Sequence, residues 1–180
     1  MSQSFGNQSS VKVLQLLTQY KKLSARPPKE LDEFEAKLLQ ELETKLAVIL
    51  ETKKSSGPPD LSKRQKLRVD ANYQVRMESV GEFKKAYIKN ISGGGFFIET
   101  DNLSAMGTQI TLELFLPEEK ESLKIKGEVA WTNPKKGTAT PQGIGIKFLS
   151  LSEPQRLKIQ KLVNMSLENE LKTLSKEKKK

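Results

Sequence analysis

The chain has 180 residues, a formal charge of +9, 36% hydrophobic residues, and neither cysteine nor histidine. The missing side chains exclude disulfides, thiol nucleophiles, thiolate or imidazole metal ligands and the commonest general base. Carboxylate-based or lysine-based chemistry stays open, but we expect no enzyme, no metal site and no cofactor. Because no stretch approaches the roughly 20 apolar residues of a membrane span and the N-terminus does not resemble a signal peptide, we expect a cytoplasmic protein.

Two amphipathic helices are predicted at the N-terminal end. The segment SSVKVLQLLTQYKKL places apolar residues on one stripe, with Ser9 or Ser10 as a candidate N-cap. The pattern breaks at Pro27 and Pro28, because a residue before proline disfavours the α region. It then resumes with apolar residues three and four apart: Leu31, Phe34, Leu38, Leu42, Leu46 and Ile49. We therefore predict a helical hairpin over residues 1–55, whose remaining stripe packs on the rest of the chain or on a second copy.

A change of period marks the next domain. Residues 56–63 are rich in Ser, Gly and Pro and are predicted to form an exposed linker. From Leu67 to Leu149 apolar residues recur with a period of two in short runs separated by turn residues. The runs are RVDANYQVRM, KKAYIKNIS, GGGFFIET, TQITLELFLP, SLKIKGEVAWT and QGIGIKFLS. This pattern predicts a mainly β protein with flanking helices, either a small antiparallel sandwich or a barrel.

The C-terminal region is again predicted to be helical from Ser152. Pro154 suits the first turn of a helix, where its missing N–H costs nothing. The predicted apolar stripe consists of leucines: Leu157, Leu162, Leu167, Leu171 and Leu174. Residues 166–180 are interpreted as a helix extension with a basic tail ending in KEKKK.

The charge of the central region favours anionic partners. Residues 60–165 carry 17 basic and 12 acidic side chains. Such an excess attracts nucleotides, nucleic acid or anionic lipid. A lysine-rich surface that only keeps the protein in solution would give the same excess, so charge alone does not decide between these interpretations.

Two arginines stand just before the first predicted strand, in the segment KRQKLR. Arg64 and Arg68 are four residues apart and share a face whether the segment is helical or extended. Two guanidinium groups in this arrangement can bind phosphates bidentately or stack on bases. The alternative is a basic linker without a ligand.

The segment NISGGG precedes the third predicted strand. Asn90 offers an amide that both donates and accepts, which suits the edge of a base, and Ser92 lies on the same face of an extended chain. Gly93, Gly94 and Gly95 allow a ligand to approach the backbone closely. The alternative is a glycine-rich turn in which Asn90 and Ser92 bond to their own backbone.

In combination, RQKLR followed roughly twenty residues later by NISGGG resembles the paired signature of the PilZ family. That signature is Arg-x-x-x-Arg and then (Asp/Asn)-x-Ser-x-x-Gly. The later segments GEVAWTNP and GIGIKFLSLSEPQRLKIQKLV are similar to the closing strands and helix of the family. The resemblance covers about Ser62 to Val163 and excludes the N-terminal helices.

The resemblance implies a six-stranded antiparallel β-barrel with a closing helix, over residues 64–165, that binds the bacterial second messenger cyclic di-GMP. By position, Arg64 and Arg68 would hold its phosphates and guanine faces. Asn90 and Ser92 would meet a guanine edge, and Gly95 would supply the close turn.

Two further residues are candidates for ligand contacts. Lys63 lies where some relatives carry another arginine, and a lysine keeps the charge but not the planar fork, which leaves one ligand or a stacked pair open. Trp131 is a candidate stacking residue, or else a core or barrel-mouth aromatic.

The function implied by the resemblance is that of a receptor or adaptor. Cyclic di-GMP would change the arrangement of the helical region or its partner contacts, by favouring a state in which residues 61–68 close over the ligand. The alternative is a PilZ-like protein-interaction adaptor that does not bind cyclic di-GMP. The leucine stripes predict a protein partner or a homodimer through the helical regions. Nucleic acid is not expected, because the strands carry few interleaved aromatic residues.

Overall fold

The computed structural model describes residues 4–54, 67–79, 82–116, 122–135 and 141–177. The predicted linker, together with Lys63 and Arg64, lies outside these ranges. In chain order the elements are α1 (Ser4–Ser24), a 3₁₀ turn (Pro28–Glu30), α2 (Glu33–Lys54), β1 (Arg68–Ser79), β2 (Glu82–Ser92), β3 (Gly95–Glu99), β4 (Gln109–Leu114), β5 (Leu123–Asn133), β6 (Gly143–Ser150) and α3 (Glu153–Glu177). No helix among the described residues is long and apolar enough to cross a membrane.

Backbone contacts divide the chain into two compact units. One is the barrel unit, Val69–Ile159, and the other is the helical unit, Met1–Arg68 with Gln160–Lys180. The division falls within α3, whose first residues belong to the barrel unit and whose remainder belongs to the helical unit.

The barrel unit is a closed barrel with the strand order β1-β2-β3-β6-β5-β4. The antiparallel pair of β1 with β4 closes it, with Val75 opposite Leu114. This confirms the six-stranded antiparallel barrel with flanking helices and decides against an open sandwich. Closure removes the unpaired edges that an open sheet of this size would expose.

The period of two in the sequence has a direct structural cause. In β4, Ile110, Leu112 and Leu114 are buried and alternate with more exposed residues. The largest side chains enclosed by the barrel are each less than 2% exposed: Ile88, Ile91, Ile98, Leu112, Leu114, Ile125 and Ile144. Each such side chain contributes about 1.5–3 kcal/mol of burial free energy, so the inward face of every strand is kept apolar.

Three register shifts interrupt the regular pairing in the described strands, and two of them lie next to candidate site residues. The register of β2 with β3 shifts between Ile88 and Asn90. The register of β5 with β6 shifts between Val129 and Trp131. A bulge of this kind inserts a residue and redirects the side chains that follow it. Both bulges lie directly before residues that the sequence singled out, Asn90 and Trp131.

The helical unit buries one face of each helix. The buried apolar residues recur three and four apart: Leu17, Tyr20 and Leu23 on α1, Leu42, Leu46 and Leu50 on α2, and Leu162, Val163, Leu167 and Leu171 on α3. Polar contacts join α1 to α3 as well: Lys21 forms an ion pair with Glu168, and Ser24 Oγ donates to Asn164 Oδ1 at 3.4 Å. The stripe left over by the predicted hairpin is therefore covered by α3 from the same chain.

The starts of the first two helices differ from the expectations. The first helix begins at Ser4, so Ser9 and Ser10 lie inside it and do not cap it. The second begins after Asp32, whose Oδ1 accepts from Glu35 N at 2.7 Å while Glu35 Oε2 accepts from Asp32 N at 3.2 Å. This reciprocal pair is a capping box, which fixes the start of the helix at Glu33, after Leu31, the first residue of the predicted stripe.

In α3, Leu157 is 40% exposed, whereas Ile159 is buried. The interval of five residues from Leu157 to Leu162 turns them to different faces of a helix, so the buried stripe starts at Ile159 instead. The predicted start of the helix near Ser152 is confirmed, since Gln155 Oε1 accepts a hydrogen bond from Ser152 N at 2.8 Å. The side chain of Leu174 lies outside the described part.

Candidate functional site

The second motif forms the tip of the β2–β3 hairpin. Asn90 and Ser92 are among the last three residues of β2, and Gly95 is the first residue of β3. Ser92 is the direct cross-strand partner of Gly95, and Asn90 is the partner of Phe97. The connection therefore consists of Gly93 and Gly94 alone, which is the shortest common hairpin loop.

Asn90 and Ser92 share the outer face of the barrel. Ile91 between them is 0% exposed and points into the barrel. Successive side chains of a strand point to opposite faces, so the residues on both sides of Ile91 point outward. Because of the bulge before Asn90, Asn90 stands opposite Phe97 of β3 and Ser92 stands opposite Gly95.

The hydroxyl of Ser92 is engaged in the turn. It donates to Gly95 O at 3.2 Å and accepts from Gly94 N at 3.3 Å, and the residue is 9% exposed. Because a hydroxyl has one proton and two lone pairs, one lone pair is left for another donor. The turn interpretation is thus correct for Ser92, and it leaves room for a ligand contact.

The amide of Asn90 behaves differently. The residue is partly exposed, and its side chain makes no hydrogen bond to any other residue in the described part of the chain. The alternative in which Asn90 bonds to its own backbone is therefore not what the structure has. An amide held at a bulge beside a hydrogen-bonded turn, with neither its donors nor its acceptor bonded to a described residue, is available to a ligand.

Gly95 has a packing role that the sequence did not indicate. A Cβ at this position would lie 2.1 Å from Ile146 O on β6. Phe148 N donates to Gly94 O at 3.0 Å, so β6 also pairs with the turn itself. Gly95 thus permits a close approach of two strands, in addition to any role next to a ligand.

Trp131 lies on the same outer face as Asn90. Direct pairing runs across the strands from Asn90 to Phe97, then to Gly145 and then to Trp131. The indole stacks on the Phe97 ring, with centroids 5.1 Å apart and planes at 13°, and the residue is 37% exposed. Trp131 is therefore an outward-facing, partly exposed aromatic on the face of the second motif.

The arginine motif is described only at its last residue. Arg68 is the first residue of β1 and is exposed. Strand order places β1 beside β2, which carries Asn90 and Ser92. Lys63 and Arg64 lie outside the described residues, so their assignment stays a prediction.

Two residues of this face were missed by the sequence reasoning. Phe97 was interpreted only as part of a strand, although alternation requires that one of Phe96 and Phe97 face outward. Phe96 packs edge-on against Phe148, with centroids 4.7 Å apart, and Phe97 supports Trp131. Lys147, the direct partner of Gly95 on β6, was not considered either. Its position depends on which strand pairs with β3, and no local signal gives that.

Comparisons with known proteins agree on the barrel. A family model described as PilZ domain matches residues 62–165. The PilZ domain of YcgR from Escherichia coli, solved with c-di-GMP, is 16% identical with a TM-score of 0.51, and the match covers 62% of this chain and 95% of that one. YcgR from E. coli in complex with c-di-GMP gives 16% identity and a TM-score of 0.50, over 64% of this chain and 50% of that one.

The inhibitor of motility MotI from Bacillus subtilis is 22% identical with a TM-score of 0.49, and the match covers 64% of this chain. The chain spans 56% of the length of that protein, little more than half. A comparison with curated protein sequences gives no match.

Proposed function

Since the chain belongs to the PilZ domain family, we propose that it is a receptor for cyclic di-GMP and performs no chemistry on it. The observation that carries the proposal is the amide of Asn90, which bonds to no described residue and lies beside Ser92 on the outer face of the barrel, at the end of one hairpin. The PilZ domain of E. coli YcgR holds the same ligand in its solved structure. A cytoplasmic location is part of this proposal.

The amide of Asn90 suits one half of the ligand. The edge of guanine presents N–H donors and an oxygen acceptor, and an asparagine amide can donate and accept at the same time. The free lone pair of Ser92 adds an acceptor on the same face. Asn90 and Ser92 are therefore proposed to read a guanine edge.

The arginines suit the other half. Cyclic di-GMP carries two phosphodiester charges, and guanidinium groups bind such oxygens with two parallel hydrogen bonds. Arg64 and Arg68 are proposed to bind the phosphates and cover the guanine faces, with Lys63 adding a cation at the same segment. The matched family region begins at residue 62 and includes all three.

Trp131 is proposed to stack on a base. One face of its indole is supported by Phe97, and part of the ring remains exposed. Stacking of a nucleobase on an aromatic ring contributes about 1–3 kcal/mol, enough to matter for a small nucleotide. The ring is pre-positioned by its neighbours, so little side-chain entropy is lost on binding.

Binding is proposed to change the arrangement of the helical region or its contacts with a protein partner. The arginine motif stands between the helices and the first strand, so a ligand held by Arg64 also restrains the segment that leads to the helices. The ligand can shift such an equilibrium only by its difference in affinity for the two arrangements.

Isothermal titration with cyclic di-GMP tests the proposal. The wild type should bind saturably, and Arg64→Ala and Asn90→Ala should each lose most of the affinity. Arg156→Ala is a matched control, because Arg156 lies in the first turn of α3 and pairs only with Glu153 among the described residues. The stoichiometry decides between one ligand and a stacked pair. No binding by the wild type at high ligand concentration would exclude the receptor and leave the adaptor that does not bind cyclic di-GMP.

A further inference from the structure

Lys147 and Ser92 lie on either side of Gly95 on the outer face of the barrel. Lys147 is the direct partner of Gly95 in the β3–β6 pair, and Gly95 is the direct partner of Ser92 in the β2–β3 pair. Side chains of directly paired residues stand on the same face of a sheet. Since glycine has no side chain, the surface between Ser92 and Lys147 is open backbone.

The ammonium of Lys147 forms no ion pair among the residues that the structure describes. The residue is exposed, and its partner on β5 is Glu128, yet the two side chains form no ion pair in the described part of the chain. Lys89, on a neighbouring part of the same face, does form an ion pair, because its Nζ lies 2.8 Å from Glu99 Oε2. Lys147 therefore presents a positive charge that forms no ion pair with a described residue, one strand from the second motif.

We propose that Lys147 is a further ligand-binding residue, whose ammonium contacts a phosphate of cyclic di-GMP that lies over Gly95. This inference rests on the proposed function and extends its site from β2 and β3 to β6. The four-carbon stem of lysine allows the ammonium to lean over the bare glycine. Across the sheet, the directly paired residues follow in the order Gly95, Lys147 and Glu128. A negative charge of the ligand over Gly95 is therefore nearer to the ammonium of Lys147 than to the carboxylate of Glu128.

The test is a titration of the full chain with cyclic di-GMP at about 0.05 M and about 0.3 M salt. The charges of the protein surface are screened over a shorter distance at the higher salt concentration. Lys147→Met should weaken binding about tenfold or more, the usual loss for a hydrogen bond to a charged group. The loss should shrink at the higher salt concentration. Lys147→Arg keeps the charge and should restore most of the affinity.

Lys124→Met is the matched control for net charge. Lys124 is also an exposed lysine in a barrel strand. Its direct partner in the strand register is Glu113 on β4, away from the second motif. Its loss should leave the affinity close to that of the wild type. Melting curves show whether each variant is folded, and Lys147→Gln repeats the test if Lys147→Met is not.

The outcomes separate the inference from the proposed function. If the wild type binds and Lys147→Met binds as tightly as Lys124→Met, Lys147 is not part of the site and the receptor function stands. If the wild type does not bind, the receptor function fails and this inference fails with it. A selective loss for Lys147→Met that Lys147→Arg reverses supports both.

Discussion

Trp131 lies directly over Gly145: a Cβ on the glycine would stand 1.9 Å from Nε1 of the indole. The next nearest atoms, at 2.3 and 2.6 Å, also belong to the indole. The ring therefore occupies the space that any side chain at position 145 would need. The contact holds the single tryptophan of the chain against β6, where its indole stacks on Phe97.

Gly145→Ala should displace the indole. The added methyl group cannot be accommodated unless the ring leaves Phe97, which costs about 1–3 kcal/mol, as for other overpacked sites. The emission of Trp131 should shift to longer wavelength because the ring becomes more exposed, and the urea midpoint should fall. The fluorescence signal is specific, because the chain has no other tryptophan.

A matched control for this variant is Gly107→Ala. Apart from the glycine and its two chain neighbours, no atom of the described residues lies within 4 Å of a Cβ at Gly107, but its φ of 83° is unfavourable for alanine. This variant should lose about 1–2 kcal/mol, the cost of a Cβ in the left-handed region, and keep the emission of the wild type. An unchanged spectrum for Gly145→Ala would show that the indole does not depend on the glycine.

Gly95→Ala should destabilise the barrel even without a ligand. The nearest atom to its Cβ would be a backbone oxygen, Ile146 O at 2.1 Å, so β3 and β6 must separate. We expect a loss of about 1–3 kcal/mol or more, measured by urea unfolding. Gly127→Ala is the comparison, because the nearest atom there is a side-chain methyl of Ile146 at 2.4 Å, which can rotate or shift more easily.

Equal stability of Gly95→Ala and the wild type would contradict this packing role. The glycine would then matter only to the ligand, and its substitution would change binding alone.

Ser92→Ala and Asn90→Ala should separate turn stability from ligand binding. Ser92→Ala removes two hydrogen bonds within the turn and should cost about 1 kcal/mol of unfolding free energy. Asn90→Ala removes no hydrogen bond within the described chain, so its stability should stay within about 0.5 kcal/mol of the wild type. Both variants should bind cyclic di-GMP more weakly in a titration. Equal destabilisation by the two would indicate a structural role for the Asn90 amide.

The strands and the second motif could be predicted because their signals are local. The alternation of Ile110, Leu112 and Leu114 with polar residues follows from burial of one face of β4, and it is visible in six consecutive residues. Asn90, Ser92 and Gly95 fall within one hairpin, so their proximity follows from the chain itself.

The rest of the outer face could not be predicted, because it depends on strand order. β6 pairs with β3 although β4 and β5 lie between them in the sequence. The contacts of Phe97 and Lys147 follow from that pairing and from bulges that shift the register by one residue. The packing of α3 on the apolar stripe of the N-terminal helical hairpin likewise joins residues that are far apart in the sequence. The capping box at Asp32 and Glu35, by contrast, was readable as D-x-x-E and was overlooked.

The stability of the helical unit should fall at alkaline pH because of Tyr20. The side chain is 1% exposed, and its hydroxyl accepts a hydrogen bond from Gln160 Nε2 at 3.0 Å. Burial, helped by the negative charge of Glu43, raises the pKa of Tyr20 well above its usual range, and the bond from Gln160 opposes this only in part. The folded chain therefore keeps the phenol proton at pH values where an unfolded tyrosine, with a pKa of about 10, loses it.

The sign of the effect follows from the proton count. Above about pH 10 the unfolded state binds fewer protons than the folded state, so stability falls as pH rises, by about 1.4 kcal/mol per pH unit. Below that pH the contribution of Tyr20 is fully present. Tyr20→Phe has no phenol to titrate, so the free energy difference between wild type and variant should shrink from about pH 10 upward in urea unfolding. Tyr87→Phe, which removes a hydroxyl from a ring that is 53% exposed, is the matched control. A constant difference between wild type and Tyr20→Phe from about pH 9 to about pH 11 would contradict the assignment, because the phenol of Tyr20 would then titrate alike in both states.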